Sequence, residues 1–475
     1  MRPANVNIFI FRRDLRVIDN AALVALSALP QPILPIFIFN PLQIDPHKNP
    51  YYSVNSVQFM VECLKDLRVA THNSLICFHG YDLQVLDALK RTYVIDTVAF
   101  NEDYTSFARS RDDQIRRWCT QNNINIITAQ DYTLFPMKSI TTTSQTPYEI
   151  FTPFYRKCIS QAATIKKPSH TQTPRFFKPT VRIANSITDL DQFYGGTSNP
   201  ALLMKGGRFH AIEALDKVRA KYYADYDKQR DIPAVDKTTR LSPYIKFGCV
   251  STREVFEAFK STYGLTHGLV RELLWREFYA HLISHHAHMI NPIANTPNQP
   301  FKSPANYRQV AWTTGKLADT WFQRWCQGKT GFPLVDAGMR QLVKVGWMHN
   351  RCRMVVAIFL TKDLMIDWRQ GERFFAQHLI DYDPCSNSGG WQWCSPNTGV
   401  DSAPYLRIFS PWAQAKRFDP DAKYIKAWIP ELRNVPPKAI INWETAHGEY
   451  SNVTSYPAPM VDHKVQVEKL TSFFK

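Results

Sequence analysis

The first 130 residues alternate between short apolar β-type runs and helix-like stretches, and this alternation leaves few folds open to the chain. The apolar runs are NIFIF (7–11), PILPIFIF (32–39), SLICF (74–78), TVAF (97–100) and INIITA (124–129). The stretches between them that read as helical are about 20–29, 54–67, 83–92 and 106–121. Strands that alternate with helices pair in parallel through right-handed crossovers. The pattern predicts a doubly wound α/β domain over residues 1–130, and no GxGxxG motif follows the first strand to indicate an ordinary NAD site.

The rest of the chain has a different character. Residues 131–205 are rich in Thr, Ser, Pro and Asn, which indicates a long interdomain linker with one helix near 151–163. From residue 206 onward helical periodicity dominates and the aromatic content is high, so residues 206–475 are expected to form an all-α domain. A chain of 475 residues is long enough for two domains or more.

Charge is distributed unevenly between these parts. Residues 1–130 hold 13 Lys and Arg against 12 Asp and Glu, whereas the remaining 345 residues hold 44 against 29. A basic C-terminal part beside a neutral N-terminal part favours a polyanionic partner such as nucleic acid. The alternative is charge that serves solubility alone.

The nine cysteines form no CxxC pair, and their number is odd. This argues against a disulfide framework or a zinc site and favours a reducing compartment. No signal peptide is visible, and the longest apolar runs are too short to span a bilayer. We therefore expect a cytoplasmic protein with no membrane contact and no bound metal.

The segment GWMHNRCRM (346–354) has an unusual composition for a helix. At 100° per residue, Trp347, Asn350, Arg351 and Met354 fall on one stripe. A core stripe is normally aliphatic and a solvent stripe normally lacks Trp. The stripe therefore favours the wall of a pocket for a flat and partly polar ligand, although a surface helix with a snorkelling Arg is the alternative.

A second segment, RELLWREFYAHL (271–282), places Glu272, Trp275, Arg276 and Tyr279 on one helical face. A carboxylate three residues from a Trp suits a site at which a base stacks and donates a hydrogen bond. A solvated Glu/Arg face with one core Trp explains the same pattern equally well.

The segment IDYDPCSNSGGWQWC (380–394) reads as a loop dense in functional groups. Asp381 and Asp383 are able to accept hydrogen bonds from a ribose, a ribityl chain or a ring N–H, and two glycines allow close backbone approach. Trp391 and Trp393 face opposite ways, so a ligand would touch one of them. The pattern favours a cofactor loop over a structural turn with core tryptophans.

A helix start is expected at Ser242–Pro243 within TTRLSPY (238–244). Hydroxyls and an Arg before a helix suit a diphosphate, but any helix N-cap looks similar.

Taken together, the segments closely resemble the class I DNA photolyase/cryptochrome family over nearly the whole chain. FRRDLRVIDNAAL and IFTPF resemble its N-terminal part. Its helical domain is matched in order by YDKQRDIPAVDKTTRLSPYIKFG, ELLWREFYAHL, GKTGFPLVDAGMRQL, GWMHNRCRM, DWRQGERFF, LIDYDP and GGWQWC followed by DSAPYLRIFSP.

The resemblance implies that the helical domain binds FAD. Carried over position by position, the FAD-lining residues are Tyr226, Thr238, Thr239, Leu241, Ser242, Arg353, Asp381, Asp383 and Asn387. Asp381 and Asp383 would bond the ribityl chain and ring, and Arg353 would pair with Asp381. Asn387 would face flavin N5, where an amide suits a reduced, anionic flavin because it adds no like charge.

The resemblance also implies a substrate, a cyclobutane pyrimidine dimer in double-stranded DNA. Photolyases flip the target out of the duplex and into the protein. The residues that would contact the dimer are Glu272, Trp275, Asn350, Met354 and Trp393. Trp275 and Trp393 would form aromatic walls, Glu272 and Asn350 would bond the polar edges, and Met354 would pack on the dimer. The phosphate-binding candidates are Arg230, Arg351 and Arg407.

In this family an excited reduced flavin gives an electron to the dimer. The dimer then splits, and the electron returns to the flavin. Photoreduction of oxidised FAD would run through Trp391, Trp368 and Trp312, with Trp321 as a competitor for the last place.

Family members commonly carry an antenna chromophore, methenyltetrahydrofolate or a deazaflavin. Ala108 stands where folate-binding members have a Glu, and Ile290–Asn291 stands in place of an expected Cys-Lys pair. The resemblance therefore leaves open which antenna is bound, and whether one is bound at all.

Three activities are compatible with the resemblance: repair of cyclobutane dimers, light signalling without repair, and repair of (6-4) photoproducts. Retention of Trp275, Asn387 and Met354 favours repair over signalling. Asn350 favours cyclobutane dimers, because (6-4) enzymes place a His there as proton donor. The sequence predicts a monomeric deoxyribodipyrimidine photo-lyase.

Overall fold

A parallel sheet occupies the start of the chain, in a computed structural model that describes residues 4–169, 174–181, 183–195, 198–290, 298–302, 310–401 and 407–473. Its strands are β1 (Asn5–Phe11), β2 (Ile33–Phe39), β3 (Ile76–His79), β4 (Val94–Glu102) and β5 (Asn125–Gln130). They lie in the order β5-β4-β1-β2-β3, with every neighbouring pair parallel. Every residue of β2 is buried, as expected for a strand covered on both faces. The predicted doubly wound sheet is confirmed.

Helices fill the connections between these strands. They are α1 (Ala21–Ser27), α2 (Pro41–Ile44), α3 (Val54–Ala70), α4 (Asp82–Thr92) and α5 (Ser106–Gln121). Side chains of Asn20, Asn40, Ser53 and Thr105 accept first-turn N–H groups and so fix where four of the helices begin. The helices bury apolar residues on both faces of the sheet, where two separate core clusters lie.

The linker is largely irregular, but two short elements tie it to the domains. Helix α6 (Phe151–Ser160) lies inside the predicted 151–163 stretch. The two-residue strand β6 (Ser186–Ile187) pairs antiparallel with the edge strand β3. Two residues carry too little pattern to predict a strand, so β6 was not expected. The domain boundaries at 130 and 205 stay predictions.

Helices dominate from Arg208 onward, as predicted. They are α7 (Arg208–Arg219), α8 (Tyr226–Gln229), α9 (Ser242–Lys246), α10 (Thr252–Tyr263), α11 (Gly268–His285), α12 (Gly315–Cys326), α13 (Pro333–Val345), α14 (Asn350–Ile358), α15 (Trp368–His378), α16 (Pro384–Cys394), α17 (Pro411–Phe418), α18 (Lys423–Trp428), α19 (Pro437–Ile441), α20 (Trp443–Ala446) and α21 (His463–Ser472). One core cluster runs without a break from the sheet into α9, α10 and α11, and a second belongs to the helical region.

The loop predicted for 380–394 is wrong, because α16 covers most of it. The Asp383 side chain accepts the Ser386 N–H as the N-cap, and Pro384 occupies the first turn. Glycine is a poor helix former, but tertiary packing outweighs propensity here. Gly389 lies so close to the Tyr279 ring of α11 that a methyl group in its place would overlap that ring.

The helical stripe predicted for 346–354 is also partly wrong. Helix α14 begins only at Asn350, and the ring of His349 caps it by accepting the Arg351 N–H. Trp347 therefore precedes the helix and is buried in the core cluster shared with the sheet.

Within the ranges that the structure describes, no helix has both the length and the apolar character that crossing a membrane requires. All nine cysteines are free thiols.

Candidate functional site

Asp381 joins two segments that the sequence predicted to meet. Its carboxylate accepts a hydrogen bond from Ser242 Oγ at 2.6 Å and from Arg353 Nη2 at 2.9 Å. Asp381 is buried, so the Arg353 pair is shielded from water. The predicted pairing of Arg353 with Asp381 is present.

The segment before α9 presents polar groups to the same region. Thr238 and Thr239 are half-buried, whereas Leu241 and Tyr226 are buried. Arg240, which stands between Thr239 and Leu241 in the chain, adopts a left-handed backbone (φ 52°). Its buried Nε has no protein hydrogen-bond partner. Arg240 Nη2 pairs with Asp236 Oδ1 at 2.9 Å, so Nε is the open donor that fits an anionic group such as a phosphate.

Asp383 lies only two residues from Asp381 but has a different environment. Its Oδ2 accepts hydrogen bonds from Arg13 Nη2 at 2.6 Å, Tyr132 OH at 2.6 Å and Tyr104 OH at 3.0 Å. All three donors come from outside the helical region. Burial alone would raise the pKa of Asp383, but the Arg13 and Arg276 guanidinium groups outweigh it and hold that pKa well below its usual range.

A second buried carboxylate, on helix α11, also contacts the start of the linker. Glu277 of α11 accepts the Leu134 N–H at 2.9 Å and pairs with Arg276 at 3.3 Å. Burial raises the pKa of Glu277 to about 7, against the opposing effect of Arg276. We call the connected group the interface network; its members are Arg13, Tyr104, Tyr132, Arg276, Glu277 and Asp383.

A second group of ion pairs surrounds the predicted dimer contacts. Arg230 Nη1 lies 2.5 Å from Glu272 Oε1, and Arg351 Nη2 lies 2.8 Å from Asp231 Oδ1. Because Arg230 and Asp231 are consecutive, they bring Glu272 of α11 and Arg351 of α14 to one place. We call these four residues the mouth network. Burial raises the pKa of Glu272, and Arg230 offsets part of that rise.

The aromatic candidates are Trp275, which lies three residues after Glu272 on α11, and Trp393, which lies on α16. Trp275 is half-buried and stacks on Phe151 of the linker helix, with ring centroids 3.7 Å apart and planes 8° from parallel. Trp393 is also half-buried, and its Nε1–H donates to Asp401 Oδ2 at 3.2 Å. Arg407 pairs with the same oxygen at 3.3 Å and lies 4.0 Å from the Trp393 ring centroid.

Two further candidates lie on the first turns of α14. Asn350 is exposed, and its Nδ2 lies 4.0 Å from the sulfur of half-buried Met354. They share one face of the helix, as the spacing predicted.

Asn387 and the electron-transfer tryptophans lie deeper. The Asn387 side-chain amide donates to the Glu372 backbone carbonyl at 3.0 Å. Trp391 and Trp368 are each 2% exposed, whereas Trp312 is half-buried, and all three belong to the second core cluster or pack on it. Trp321, the competitor for the surface position, packs on the same cluster.

Several residues of the site were missed by sequence reasoning. They are Arg13, Tyr104, Tyr132, Phe151, Asp231, Glu277 and Asp401. Most reach the site from distant parts of the chain, and a single sequence gives no sign of such contacts. FRRDLR and IFTPF were noticed as motifs, but not as contacts of this site.

A separate cavity of about 320 Å³ opens at the carboxyl ends of β1, β2 and β4, and the order of parallel strands reverses direction between β1 and β4. Arg12, Arg13, Phe37 and Lys246 are among the residues that line it. Burial lowers the pKa of Lys246 to about 7.

Comparison with known proteins agrees with this fold and site. Residues 7–175 match the family model for DNA photolyase, and residues 269–475 match the model for the FAD binding domain of DNA photolyase. The crystal structure of an archaeal photolyase from Sulfolobus tokodaii with two FAD molecules matches with a TM-score of 0.80 and 35% identity, covering 99% of both chains.

Two curated proteins are similar over nearly their whole length. The deoxyribodipyrimidine photo-lyase of Synechococcus sp. is 33% identical over 489 residues, which covers 98% of this chain and 96% of that one. The Escherichia coli deoxyribodipyrimidine photo-lyase is 34% identical over 486 residues, with 98% and 97% covered.

Fold and site together define a flavoprotein enzyme of the photolyase class. The chain belongs to the DNA photolyase family. The predictions of a photolyase-class enzyme and of FAD as its cofactor are confirmed by these matches.

The residues present fit FAD. The Arg240 Nε donor without a protein partner and the hydroxyls of Thr238 and Thr239 suit the diphosphate. Ser242, Arg353 and Asp381 form a polar cluster that suits the ribityl chain and ring. Asp383 is less available to bind FAD, because its Oδ2 already accepts hydrogen bonds from three residues of the interface network.

Proposed function

We propose that this protein uses light to repair cyclobutane pyrimidine dimers in double-stranded DNA. The observation that carries the proposal is the mouth network. Its Arg230–Asp231 dipeptide pairs with Glu272 of α11, which also carries Trp275, and with Arg351 of α14, which also carries Asn350 and Met354. Such convergence suits one pocket for a polar, aromatic ligand.

The dimer would enter this pocket as a flipped-out unit. A dimer stacks and pairs poorly in the duplex, so its extrusion costs little. One face of Trp275 is covered by Phe151, which leaves the other for the dimer, and Trp393 supplies a second wall. Glu272 and Asn350 would bond the polar edges of the pyrimidines, and Met354 would make the apolar contact.

When bound, reduced FAD supplies the electron that splits the dimer after light absorption. The residues of this chain hold the cofactor and shape its surroundings. The proposed set is Tyr226, Thr238, Thr239, Leu241, Ser242, Arg353, Asp381, Asp383 and Asn387. Asn387 brings no negative charge to a reduced flavin, so it does not oppose the anionic form.

Trp391, Trp368 and Trp312 are proposed to deliver electrons from the surface. Their burial supports this order, because the first two are almost fully buried and the last is half-buried. Trp391→Phe should slow photoreduction strongly and leave repair by chemically pre-reduced protein nearly intact. Loss of repair in the pre-reduced assay would refute the assignment.

His349 bears on which lesion is repaired, because it lies beside Asn350. Its Nδ1 accepts the Arg351 N–H, and burial lowers its pKa to about 4. A neutral, buried imidazole is a poor proton donor at neutral pH. This supports cyclobutane dimers, whose splitting needs no general acid, over (6-4) photoproducts, whose repair does.

The test is blue-light irradiation of purified, photoreduced protein with oligonucleotides that carry either lesion. We expect the cyclobutane dimer to be restored and the (6-4) product to be unchanged. Repair of the (6-4) product alone would refute the lesion assignment. Absence of repair together with a light-dependent flavin spectrum would favour a signalling role.

We further infer that the cavity beside β1 and β2 holds an antenna chromophore. The Sulfolobus photolyase is described with two FAD molecules and the implication of a novel light-harvesting cofactor. Here two lysines and three arginines line the cavity, which suits a flat anionic ring system. Methenyltetrahydrofolate has weaker support than a flavin or deazaflavin, since Ala108 is buried and has no carboxylate. Extraction and absorption spectroscopy of the purified protein would identify the chromophore.

Arg230, Arg351 and Arg407 are proposed phosphate contacts. Each is paired with a carboxylate in this structure, so contact with DNA requires exchange of partners. We also infer that the protein acts as a monomer in the cytoplasm, in keeping with its nine free thiols.

A further inference from the structure

Asp401 connects the two aromatic side chains proposed as walls of the dimer pocket. Its Oδ2 accepts the Trp393 Nε1–H at 3.2 Å. Its Oδ1 accepts the backbone N–H of Phe151 at 3.0 Å, and the Phe151 ring stacks directly on Trp275. A single carboxylate therefore contacts one wall and supports the other through one intervening ring.

The contact with Phe151 also fixes where the linker helix begins. Phe151 is the first residue of α6, and the preceding Ile150 offers no side-chain cap. An uncapped first-turn N–H needs a partner from elsewhere. Asp401 supplies it from 250 residues away, so the position of α6, and with it the Phe151 ring, depends on this carboxylate.

The local geometry of Asp401 suits a fixed contact. Its backbone is left-handed (φ 62°), a conformation that Asp tolerates better than most residues. Its side chain is only 12% exposed, and Arg407 pairs with it at 3.3 Å. The Arg407 guanidinium in turn lies 4.0 Å from the centroid of the Trp393 ring.

We propose that Asp401 is a positioning residue for lesion recognition. It holds the rings of Trp275 and Trp393 in a fixed arrangement relative to each other. The proposal rests on the proposed function, because it assumes that these two rings receive the dimer. It predicts an effect on the preference for damaged DNA, not on general DNA affinity.

The test measures dissociation constants, in the dark, for matched duplexes with and without one cyclobutane dimer. For Asp401→Ala we expect the preference for the damaged duplex to fall by roughly fivefold to tenfold, the value of one net hydrogen bond. Affinity for the undamaged duplex should not fall, because a negative charge is removed. Bound FAD, read from its absorption spectrum, reports whether the variant is folded.

Three further variants separate positioning from general effects. Glu149→Gln is the matched control. It removes a carboxylate from the linker that contains Phe151, where Glu149 pairs with Lys302 at 3.2 Å. It should leave the preference unchanged. Trp393→Phe keeps a ring but removes the indole N–H, so Asp401→Ala should cost less in that background. Asp401→Asn, which keeps one acceptor oxygen, should be intermediate and covers the case in which the alanine variant does not fold.

Outcomes distinguish this proposal from the proposed function. If the unchanged protein shows no preference for damaged DNA, both are wrong. If it shows the preference and Asp401→Ala retains it in full, only the role of Asp401 is wrong. Equal loss on damaged and undamaged duplexes, or an equal effect of Glu149→Gln, would likewise overturn the positioning role.

Discussion

The interface network and the mouth network are both built from arginines and carboxylates, but water reaches them to different degrees. In the interface network, Asp383 and Arg13 have side chains that are 7% and 18% exposed. In the mouth network, Glu272, Arg230 and Asp231 are 35%, 31% and 36% exposed, whereas Arg351 is 14% exposed. The first joins the sheet domain and linker to the helices, and the second borders the proposed dimer pocket.

This difference in exposure separates the roles that the two networks are able to play. Removing one partner of a buried ion pair leaves a charge that water cannot solvate, so such a pair holds structure in place. A half-exposed pair contributes little to stability and exchanges partners at low cost. Arg230 is therefore suited to give up its carboxylate for a phosphate or a base, whereas Arg13 is not.

The sharpest test of this comparison is Asp383→Ala. It leaves Arg13 and two tyrosine hydroxyls without their shared acceptor. We expect the free energy of unfolding to fall by about 3–5 kcal/mol. Urea unfolding followed by circular dichroism measures this change. Glu272→Ala in the mouth network is the control and should cost less than about 1 kcal/mol. Equal losses in the two variants would remove the distinction.

The next effect concerns pH and Glu277. Its pKa is about 7 when folded and about 4.3 when unfolded, so between these values the folded state binds the extra proton. The free energy of unfolding should therefore decrease as pH rises from 4.3 to 7, by up to about 1.4 kcal/mol per pH unit. Glu277→Gln should make this dependence less steep while its amide oxygen still accepts the Leu134 N–H. The buried carboxyls of Glu372 and Asp363, whose pKa values burial raises to about 8 and about 6, should maintain the rest.

Asp383 provides the internal contrast in the same pH series. Its folded pKa is lowered, so its contribution is present above the unfolded pKa of about 3.9 and is lost as pH falls further. A Glu277→Gln protein whose stability declines between pH 5 and 7 as steeply as that of the unchanged protein would show that Glu277 does not titrate there.

A smaller effect is expected at the mouth itself. Glu272→Ala should lower the preference for a dimer-containing duplex by about tenfold to a hundredfold, which is the range for a hydrogen bond to a charged group. Dissociation constants for damaged and undamaged duplexes give this ratio. Glu257→Gln, which breaks an ion pair with Lys260 on α10, is the matched control. An unchanged ratio in Glu272→Ala would place Glu272 outside the pocket.

The smallest effect is expected for Arg351→Ala. Each phosphate contact contributes about 0.9 to the slope of log K against log salt, so the slope should decrease by about one. Titrations at several salt concentrations measure it. Arg340→Ala, which breaks a pair with Glu431 in the same region, should leave the slope unchanged. The same slope in both variants would show that Arg351 keeps Asp231 as its partner when DNA binds.

Periodicity made the sheet predictable, because alternation of apolar runs and helical stretches is a local property. Spacing also placed Asn350 and Met354 on one helical face. Local patterns gave wrong predictions for Trp347, which was placed on a helix, and for residues 380–394, which were predicted as a loop. In both places a side-chain cap, from His349 or Asp383, decides where α14 or α16 begins. Cap positions depend on single side chains, and competing signals such as paired glycines mask them.

The order of residues along the chain was enough to predict the parallel sheet, the helical C-terminal region, the basic charge of that region and the family to which the chain belongs. Each of these depends on residue types that follow one another along the chain. The folded structure was needed to show that Asp381 faces Ser242 and Arg353 while Asp383 faces Arg13, and that Asp401 bridges Phe151 and Trp393. Those contacts join residues up to 370 positions apart, and they exist because burial leaves each polar group only the partners that folding brings to it.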